Sequence, residues 1–372
     1  MKDYLEHKTC RIKALSPIFI GNGDTIGKKE YMISPDGKVV IPDVIKMYQA
    51  LQKKHLEKQY EKYMLRYNEE LGTWLVRYHI FPEEYIAWKK YELDAGDAFT
   101  TLKNSKENKV KQIQCFVKDA YGNPYVPGSS IKGMLRTALL AYEITEHPDT
   151  YEALKKEIEK NAGMRAKRDS YLSRETTSLE TQAFHTLERE KRKIENAVNS
   201  CLSGLIVSDS NPLSTDQLIL CQKIDYTIQR EEKPFPLLRE ALKPGTEIDF
   251  QITIDKTVCP YTMDMIIKAL NRFGEICYDS FYSRFQRGTT EENIVWLGGG
   301  VGFLSKTILY PMYGRKAVKI TDQVFKNTLG KNYKIHKHNR DLELRIAPHM
   351  CKCTRYQKKL YDMGMGKIEV LS

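Results

Sequence analysis

Residues 121–138 read Tyr-Gly-Asn-Pro-Tyr-Val-Pro-Gly-Ser-Ser-Ile-Lys-Gly-Met-Leu-Arg-Thr-Ala and join a turn directly to the start of a helix. Pro127 and Gly128 interrupt the extended segment before them, and Ser129 or Ser130 is predicted to cap the helix by accepting a backbone hydrogen bond. Apolar residues then recur at spacings of three and four over the next turns, which predicts one buried stripe along the helix.

Two cations and a glycine in the first two turns give this helix the features of a phosphate-binding site. Lys132 and Arg136 are four residues apart, so both are predicted to project near the free N–H groups and the positive dipole end of the helix. Gly133 removes a side chain where a ligand backbone can approach. The sequence leaves open the alternative of an ordinary capped helix whose two cations are only solvated.

A second motif, at residues 296–307, follows an apolar run that predicts a buried strand. It reads Trp-Leu-Gly-Gly-Gly-Val-Gly-Phe-Leu-Ser-Lys-Thr, with four glycines in five residues, 298–302, and a charge at Lys306. Such a loop lines a ligand with backbone N–H groups or packs very closely on other backbone. A tight structural bulge is the alternative. The spacing matches neither a Walker loop nor a dinucleotide fingerprint.

A third element lies near the start of the chain, where a predicted strand over 9–15 runs into Leu-Ser-Pro-Ile-Phe-Ile-Gly-Asn-Gly-Asp at residues 15–24. This Ser-Pro-x-x-x-Gly turn, the Pro-Gly-Ser-Ser-x-Lys-Gly-x-x-Arg helix and the late glycine-rich loop together resemble the RAMP superfamily of CRISPR RNA-binding proteins. Within it, the chain most resembles the fifth-subunit family of type III-A (Csm) effector complexes. The segment 238–255 and the ending 347–354 agree with that resemblance.

The resemblance implies an α+β fold of two ferredoxin-like (RRM-type) RAMP modules with helical insertions and glycine-rich loops. We place the N-terminal module at residues 1–204, with insertions at about 43–112 and 148–200. The C-terminal module is placed at residues 205–372 and carries the glycine-rich loop 298–302. The predicted strands and helix after residue 204 suit a sheet with helices on one side.

Composition independently favours a polyanionic partner. Lys and Arg number 59 against 48 Asp and Glu, which gives a formal net charge of +11. The sequence has no run of 18 or more apolar residues, no signal-peptide pattern and no lipidation motif. We therefore expect a soluble, cytoplasmic protein that has no membrane partner.

No nucleophile with a base, no carboxylate pair and no metal cluster has a diagnostic spacing, so we expect no catalytic residue, no metal and no cofactor. The eight cysteines are scattered and are predicted to be reduced core thiols. Cys351 and Cys353 have histidines nearby but lack the usual Cys-x-x-Cys spacing of zinc sites. His185 and Asp24 are the remaining catalytic candidates, and a surface histidine and a turn aspartate are the favoured explanations.

The resemblance implies a non-catalytic CRISPR RNA-binding subunit that caps the Csm filament at the 3′ side of the guide RNA (crRNA) and assists crRNA 3′-end maturation in antiviral defence. Neighbouring Csm backbone and small subunits are expected partners, and target RNA and host trimming nucleases are candidate partners. Recognition is expected to use phosphate and 2′-OH groups, because guide sequences vary. The residues expected to contact RNA are Ser16, Gly21, Gly23, Gly128, Ser129, Ser130, Lys132, Gly133, Arg136, Gly298, Gly299, Gly300, Gly302 and Lys306.

Two other functions stay open at this point. A metal-independent crRNA-processing endoribonuclease of the same superfamily needs His185 or another base beside the Lys132 helix. A scaffold subunit with little direct RNA contact would use the glycine-rich loop for subunit packing instead.

Overall fold

Strands and helices are interspersed along the chain in a mixed α+β fold, as predicted. The structure, a computed structural model, describes residues 4–99, 112–165, 167 and 170–372. The strands of these residues are β1 (Leu5–Ala14), β2 (Gly21–Ile26), β3 (Met32–Ile33), β4 (Lys38–Pro42), β5 (Lys89–Asp94), β6 (Ile113–Phe116), β7 (Leu205–Val207), β8 (Leu218–Thr227), β9 (Glu232–Leu242), β10 (Glu247–Asp255), β11 (Ile294–Trp296), β12 (Met350–Tyr356), β13 (Lys359–Asp362) and β14 (Met365–Val370).

Two long helices, α5 and α8, are accompanied by shorter ones. The α-helices are α1 (Val44–Lys53), α2 (Glu57–Arg66), α3 (Leu71–Arg77), α4 (Pro82–Tyr85), α5 (Gly128–Glu146), α6 (Pro148–Ala162), α7 (Ser173–Phe184), α8 (Met263–Ser280), α9 (Leu309–Tyr313), α10 (Ala317–Thr328), α11 (Asn332–Ile335) and α12 (Asp341–Leu344). Within the described ranges, none of these helices combines the length and the apolar character needed to span a bilayer.

A five-stranded antiparallel sheet has the order β11-β14-β1-β10-β7. In β1 the buried residues Cys10, Ile12 and Ala14 alternate with more exposed ones, which is the period of a strand with one face on the core. Helices α5 and α8 pack against each other, and they also contact the edge strands β7 and β11 respectively. Their apolar stripes therefore cover the core beside this sheet.

The second sheet has the order β2-β6-β9-β8-β5-β4-β3, with β12 on β8 and β13 on β12. A buried carboxylate, Glu240 of β9, connects three of its strands. It accepts hydrogen bonds from the Phe116 N–H group at 2.8 Å, from the Tyr91 hydroxyl and from the Lys118 ammonium. A carboxylate that is buried away from water stays ionised only when it is paired with a cation and hydrogen-bonded in this way.

Residues 15–20 connect the two sheets. The Ser16 hydroxyl accepts a hydrogen bond from the Met365 N–H group of β14 at 2.7 Å. Two residues later, Ile18 exchanges backbone hydrogen bonds with Leu242, the last residue of β9. The chain thus passes from the five-stranded sheet to the larger one within a few residues.

Both sheets include strands from both predicted domains, 1–204 and 205–372. Strand pairing therefore does not by itself divide the chain near residue 204, and the domain boundary stays a prediction.

Residues 44–88 of the predicted first insertion form α1 to α4 around a separate apolar core that includes Trp74 and Tyr63. Residues 100–111 of that insertion lie outside the described residues. In the second insertion, α6 and α7 pack on the main core.

Helix α5 begins at Gly128, and neither Ser129 nor Ser130 is its cap. Pro127 is the N-cap residue, and its side chain accepts no hydrogen bond from the helix. Instead the Gly128 N–H group donates to the Asp209 carboxylate at 2.7 Å, just after β7. The predicted serine cap is therefore wrong, because a carboxylate distant in sequence already takes the first N–H group.

Gly128 and Gly133 provide a matched pair for testing how tightly α5 is packed. A Cβ atom at Gly128 would lie 2.3 Å from the Val207 carbonyl oxygen, whereas a Cβ atom at Gly133 would meet nothing within 4 Å. We expect Gly128→Ala to lower the free energy of unfolding by about 1–3 kcal/mol through overpacking. Gly133→Ala should raise it by roughly 0.5–1 kcal/mol, because alanine is the better helix former. Urea unfolding of both variants measures this difference, and equal effects would contradict it.

Candidate nucleic-acid interface

A surface groove of about 410 Å³ brings together parts of all three sequence motifs. One wall is the first turns of α5, another is the start of β2, and the floor is the glycine-rich loop after β11. Of the residues predicted to contact RNA, seven line this groove: Gly21, Ser129, Ser130, Gly133, Gly298, Gly299 and Lys306. The motifs are far apart in sequence, so their meeting is a property of the tertiary fold.

The glycines of the loop permit a close backbone contact with Phe19. Gly298 has φ +88°, and a Cβ atom there would lie 2.2 Å from the Phe19 carbonyl oxygen. The Gly299 N–H group donates to the same oxygen at 2.7 Å. This N–H group is therefore not available to a ligand. The loop therefore packs closely on other backbone, which is one of the two roles that the sequence allows for it. The same loop also lines the groove.

The groove carries hydroxyl groups and one cation along its rim. Ser129 and Ser130 lie in the first turn of α5, and Thr137 follows two turns later on the same face. Lys306 is exposed at the end of a short helical turn and forms no ion pair with any carboxylate in the described part of the chain. The groove is thus polar and positively charged, a combination suited to phosphate oxygens.

Lys132 and Arg136 lie outside the groove lining, and their predicted contact with RNA stays a prediction. The Lys132 ammonium donates to the Leu202 carbonyl at 2.7 Å, and Arg136 forms an ion pair with Glu180 of α7. Burial lowers the pKa of Lys132. Both side chains are therefore engaged by residues 180–202 of the same chain, because the groove-facing side of α5 is the one that carries Ser129, Gly133 and Thr137.

The remaining predicted residues also lie away from the groove lining. Ser16 is fully buried, Gly128 is packed against β7, and Gly23 is exposed within β2. Gly300 and Gly302 lie at the loop's other end, where added Cβ atoms would meet Arg239 at 2.6 Å and Lys352 at 3.0 Å, respectively. Both have positive φ, so these two glycines serve the shape of the loop.

Six residues of the groove lining are absent from the predicted contact set: Ile20, Met134, Thr137, Trp296, Leu297 and Ser305. Thr137 follows Gly133 by four residues, so the helical period places it on the same face and was the signal available. Trp296 is buried and stacks on Tyr282 with ring centroids 5.4 Å apart. Its indole N–H group has no acceptor among the described residues, and no sequence pattern reveals that.

The two catalytic candidates do not meet at the groove. His185 directs its Nδ1 atom at the Ile194 carbonyl, 2.9 Å away, at the end of α7. Asp24 is exposed in β2 and accepts a hydrogen bond from the Asn22 side chain at 2.6 Å, as in a local turn. The groove lining contains no histidine, aspartate or glutamate in the described ranges.

Two groups of buried side chains have the spacing of a metal site. In one, the Cys351 and Cys353 Sγ atoms both lie 3.6 Å from the Asp362 carboxylate, which pairs with Arg287. The hydrogen bond to Cys353, followed by burial, raises the pKa of the Cys351 thiol. The other group, around Asp341, is internally hydrogen-bonded. All eight cysteines are free of disulfide bonds, as predicted.

Comparison with known proteins identifies the family. The model of the RAMP superfamily matches residues 11–305, which is most of the chain. The chain therefore belongs to the RAMP superfamily. It is also similar to proteins named "CRISPR system Cms protein Csm5": that of Mycobacterium tuberculosis (strain CDC 1551 / Oshkosh) is 25% identical, with 100% of this chain and 99% of the relative covered. That of Streptococcus thermophilus is 27% identical over 82% of this chain and 81% of the relative.

Two solved structures share the fold. A chain in the cryo-EM structure of a Csm–crRNA–target RNA ternary complex from a type III-A CRISPR-Cas system superposes with a TM-score of 0.64 at 20% identity, covering 98% of this chain and 100% of that one. The crystal structure of T. onnurineus Csm5 gives a TM-score of 0.60 at 18% identity, covering 96% and 99%. These similarities extend over nearly the whole chain.

The Asp209 cap of α5 gives a direct test of how the groove wall is held. Asp209→Ala removes the acceptor of the Gly128 N–H group and should lower the free energy of unfolding by about 1 kcal/mol, as loss of an N-cap does. Asp209→Asn keeps a side-chain oxygen and should lower it by less than half as much. Urea unfolding provides the measurement, and an alanine variant as stable as the asparagine variant would contradict this role.

Proposed function

We propose that the chain is the Csm5 subunit of a type III-A Csm complex and that it holds the guide RNA in the groove between α5 and the glycine-rich loop. The observation that carries the proposal is the convergence of three distant motifs on one positively charged groove. Membership of the RAMP superfamily and similarity to proteins named Csm5 over 82–100% of this chain support it.

The chemistry of the groove suits a sugar-phosphate backbone. Ser129 and Ser130 offer hydroxyl groups, and Lys306 offers a cation that has no ion-pair partner among the described residues. The Thr137 hydroxyl donates to the Gly133 carbonyl at 3.1 Å, so it is left as an acceptor for ribose hydroxyl groups. Gly133 leaves open space in which a backbone can lie against the helix. These groups contact phosphate and ribose and carry little base information, so RNA of any sequence can be held.

We propose that the subunit caps the filament at the 3′ side of the crRNA and assists 3′-end maturation in antiviral defence, within the cytoplasm. Neighbouring Csm subunits, target RNA and trimming nucleases are the partners of this role. Support for protein partners comes from apolar side chains that the helical insertion leaves exposed, including Ile45, Leu65 and Ile86. The solved complex with the same fold contains crRNA and target RNA.

We also propose that the five-stranded sheet with α5 and α8 is a ferredoxin-like module, one of the two that the sequence predicts. The chain order β1-α5-β7-β10-α8-β14 is a β-α-β-β-α-β succession, and β14, β1, β10 and β7 are neighbours in the order of that fold. Strand β11 then adds an outer edge. The second module would be built on the nine-stranded sheet.

We propose that the chain is not a nuclease. A metal-independent ribonuclease needs a base and an acid beside the scissile phosphate. His185 lies away from the groove, and the described lining of the groove lacks histidine and carboxylate side chains. These observations favour RNA holding over cleavage.

Gly133 permits a charge test with a control of the same size. Its position is exposed, helical and free of neighbours within 4 Å, so both Gly133→Glu and Gly133→Gln should fold. We expect the glutamate variant to bind single-stranded RNA about tenfold more weakly than the glutamine variant, because a carboxylate in the groove repels phosphate. Fluorescence anisotropy at low salt measures both affinities. Equal affinities would show that RNA does not lie in this groove.

The salt dependence of RNA binding distinguishes the cations of the groove from those outside it. Lys306→Ala should reduce the slope of log affinity against log salt by about 0.7, the value for one single-strand phosphate contact. The Lys132→Ala/Arg136→Ala double variant should keep the wild-type slope, because both side chains are engaged within the chain. The reverse result would confirm the sequence prediction. Binding independent of salt would favour a scaffold, and product gels that show cut RNA would favour an endoribonuclease.

A further inference from the structure

A second pocket, of about 380 Å³, opens on the nine-stranded sheet and shares no lining residue with the groove. Its walls come from β8, β9 and β12, from residues 335–338 after α11, and from residues 348–350 before β12. Nothing in the three sequence motifs points to this place. We name it the histidine pocket, after His336, His338 and His349 in its lining.

Among the described residues, four lysines and one carboxylate, that of Asp225, line the histidine pocket. Asp225 is directly opposite Lys352 on one neighbouring strand and Lys233 on the other, so the three lie side by side on one face. The Asp225 oxygens lie 2.7 Å from the Lys352 Nζ atom and 3.6 Å from the Lys223 Nζ atom. Lys337 is the fourth lysine. Lys233 also pairs with Glu231, whose carboxylate lies 3.5 Å from the Lys233 Nζ atom. With the buried Asp341 carboxylate behind the histidines, four lysines face three carboxylates, which leaves a small positive excess.

This excess acts on the titration of the pocket's own groups. Burial, and then repulsion from Lys352, lowers the pKa of Lys223. Burial lowers the pKa of His336 as well, and the positive charges of Lys223 and Lys352 add to the effect, while the Asp225 carboxylate opposes it. Burial is the largest cause of both shifts and disfavours any added charge, while the neighbouring lysine charges specifically disfavour a further cation. The lysines at the open side of the pocket are therefore the groups that can meet an anionic ligand.

A buried carboxylate holds two of the histidine rings. Asp341 is fully buried and bonds to the Nδ1 atoms of His338, at 2.9 Å, and of His349. Because a carboxylate only accepts, each Nδ1 atom carries the proton, and in the neutral rings each Nε2 atom is left as an acceptor. Both rings are more than nine-tenths buried and line the pocket. A ligand that donates hydrogen bonds, such as one with hydroxyl groups, matches them.

The pocket also offers an apolar surface to a flat ring. Phe235 of β9 is 47% exposed, and the Lys223 Nζ atom lies 4.3 Å from its ring centroid. Ile335 is 68% exposed at the opposite wall. Exposed aromatic rings beside cations on a sheet face are the usual platforms on which single-stranded bases stack.

We propose that the histidine pocket holds one unstacked nucleotide of a single-stranded RNA, with the lysines at its phosphate, Phe235 against its base and the histidine rings at its hydroxyl groups. The choice of RNA as the ligand rests on the proposed function. The match between the pocket and a phosphate joined to a flat ring rests on the lysines and Phe235 alone. Gly302 of the glycine-rich loop packs on Lys352, so the loop that forms the floor of the groove also reaches the edge of the histidine pocket. One RNA strand can therefore follow the loop from one site to the other.

The test compares pocket variants with matched controls in the full chain. Phe235→Leu is paired with Phe81→Leu, whose ring is equally exposed but belongs to the helical insertion. Lys337→Gln is paired with Lys334→Gln, which lies outside the pocket lining. The probe is a fluorescein-labelled oligouridine RNA of about 12 nucleotides, measured by anisotropy over a salt series. We expect Phe235→Leu to weaken binding about fivefold to tenfold with an unchanged salt slope, and Lys337→Gln to reduce the slope by about 0.7.

Three outcomes would overturn the proposal. Pocket variants that bind RNA like their controls, while Gly133→Glu loses affinity, would remove the histidine pocket and leave the groove as the RNA site. Failure of the wild-type chain to bind the RNA at all would remove both proposals. One equivalent of zinc in the purified wild-type chain, lost in His349→Ala, would make the pocket a metal site instead.

Discussion

The close backbone contact between Phe19 and the glycine-rich loop is the constraint on which the rest of the structure depends. The Phe19 carbonyl oxygen accepts the Gly299 N–H group, and the space beside it has no room for a side chain at Gly298. One residue earlier, Ile18 pairs with the end of β9, and Ser16 is bonded to β14. Residues 15–20 thus lie against both sheets at once, and a bulkier loop would push the sheets apart.

The same contact explains how a structural loop and a binding surface coincide. Glycines that let the loop approach Phe19 on one side leave a surface without side chains on the other, beside the first turns of α5. Such a surface is polar and open to a sugar-phosphate chain. The stability of the junction and the shape of the groove therefore depend on the same residues, and the functional effect of a loop substitution has to be separated from its effect on folding.

Ion pairing within the fold, more than the net charge of the chain, decides which cations are available to an anionic partner. Of the cations that the sequence points to, Lys132 is engaged by the segment before β7 and Arg136 by α7, whereas Lys306 has no ion-pair partner in the described part of the chain. On the larger sheet, Lys223, Lys233 and Lys352 gather around Asp225, a cluster that no sequence motif marks. The net charge of +11 predicts an anionic partner but does not say where that partner binds.

The sequence by itself determined the α+β class, the start of α5, its buried stripe and the glycine-rich loop. These features depend on local periodicity and on glycine and proline, whose backbone preferences do not depend on the surrounding fold. The seven predicted contact residues that line the groove were found because each sits in a motif marked by glycines or by a helix start, but only the tertiary fold brings those motifs together. The tertiary structure alone decided that Asp209 caps α5, that Glu180 takes Arg136 and that three strands bring Lys223, Lys233 and Lys352 together. Apart from Lys223 and Lys233, which lie on adjacent strands, these pairings join residues 44 to 129 positions apart, and only the packing of whole elements brings such residues together.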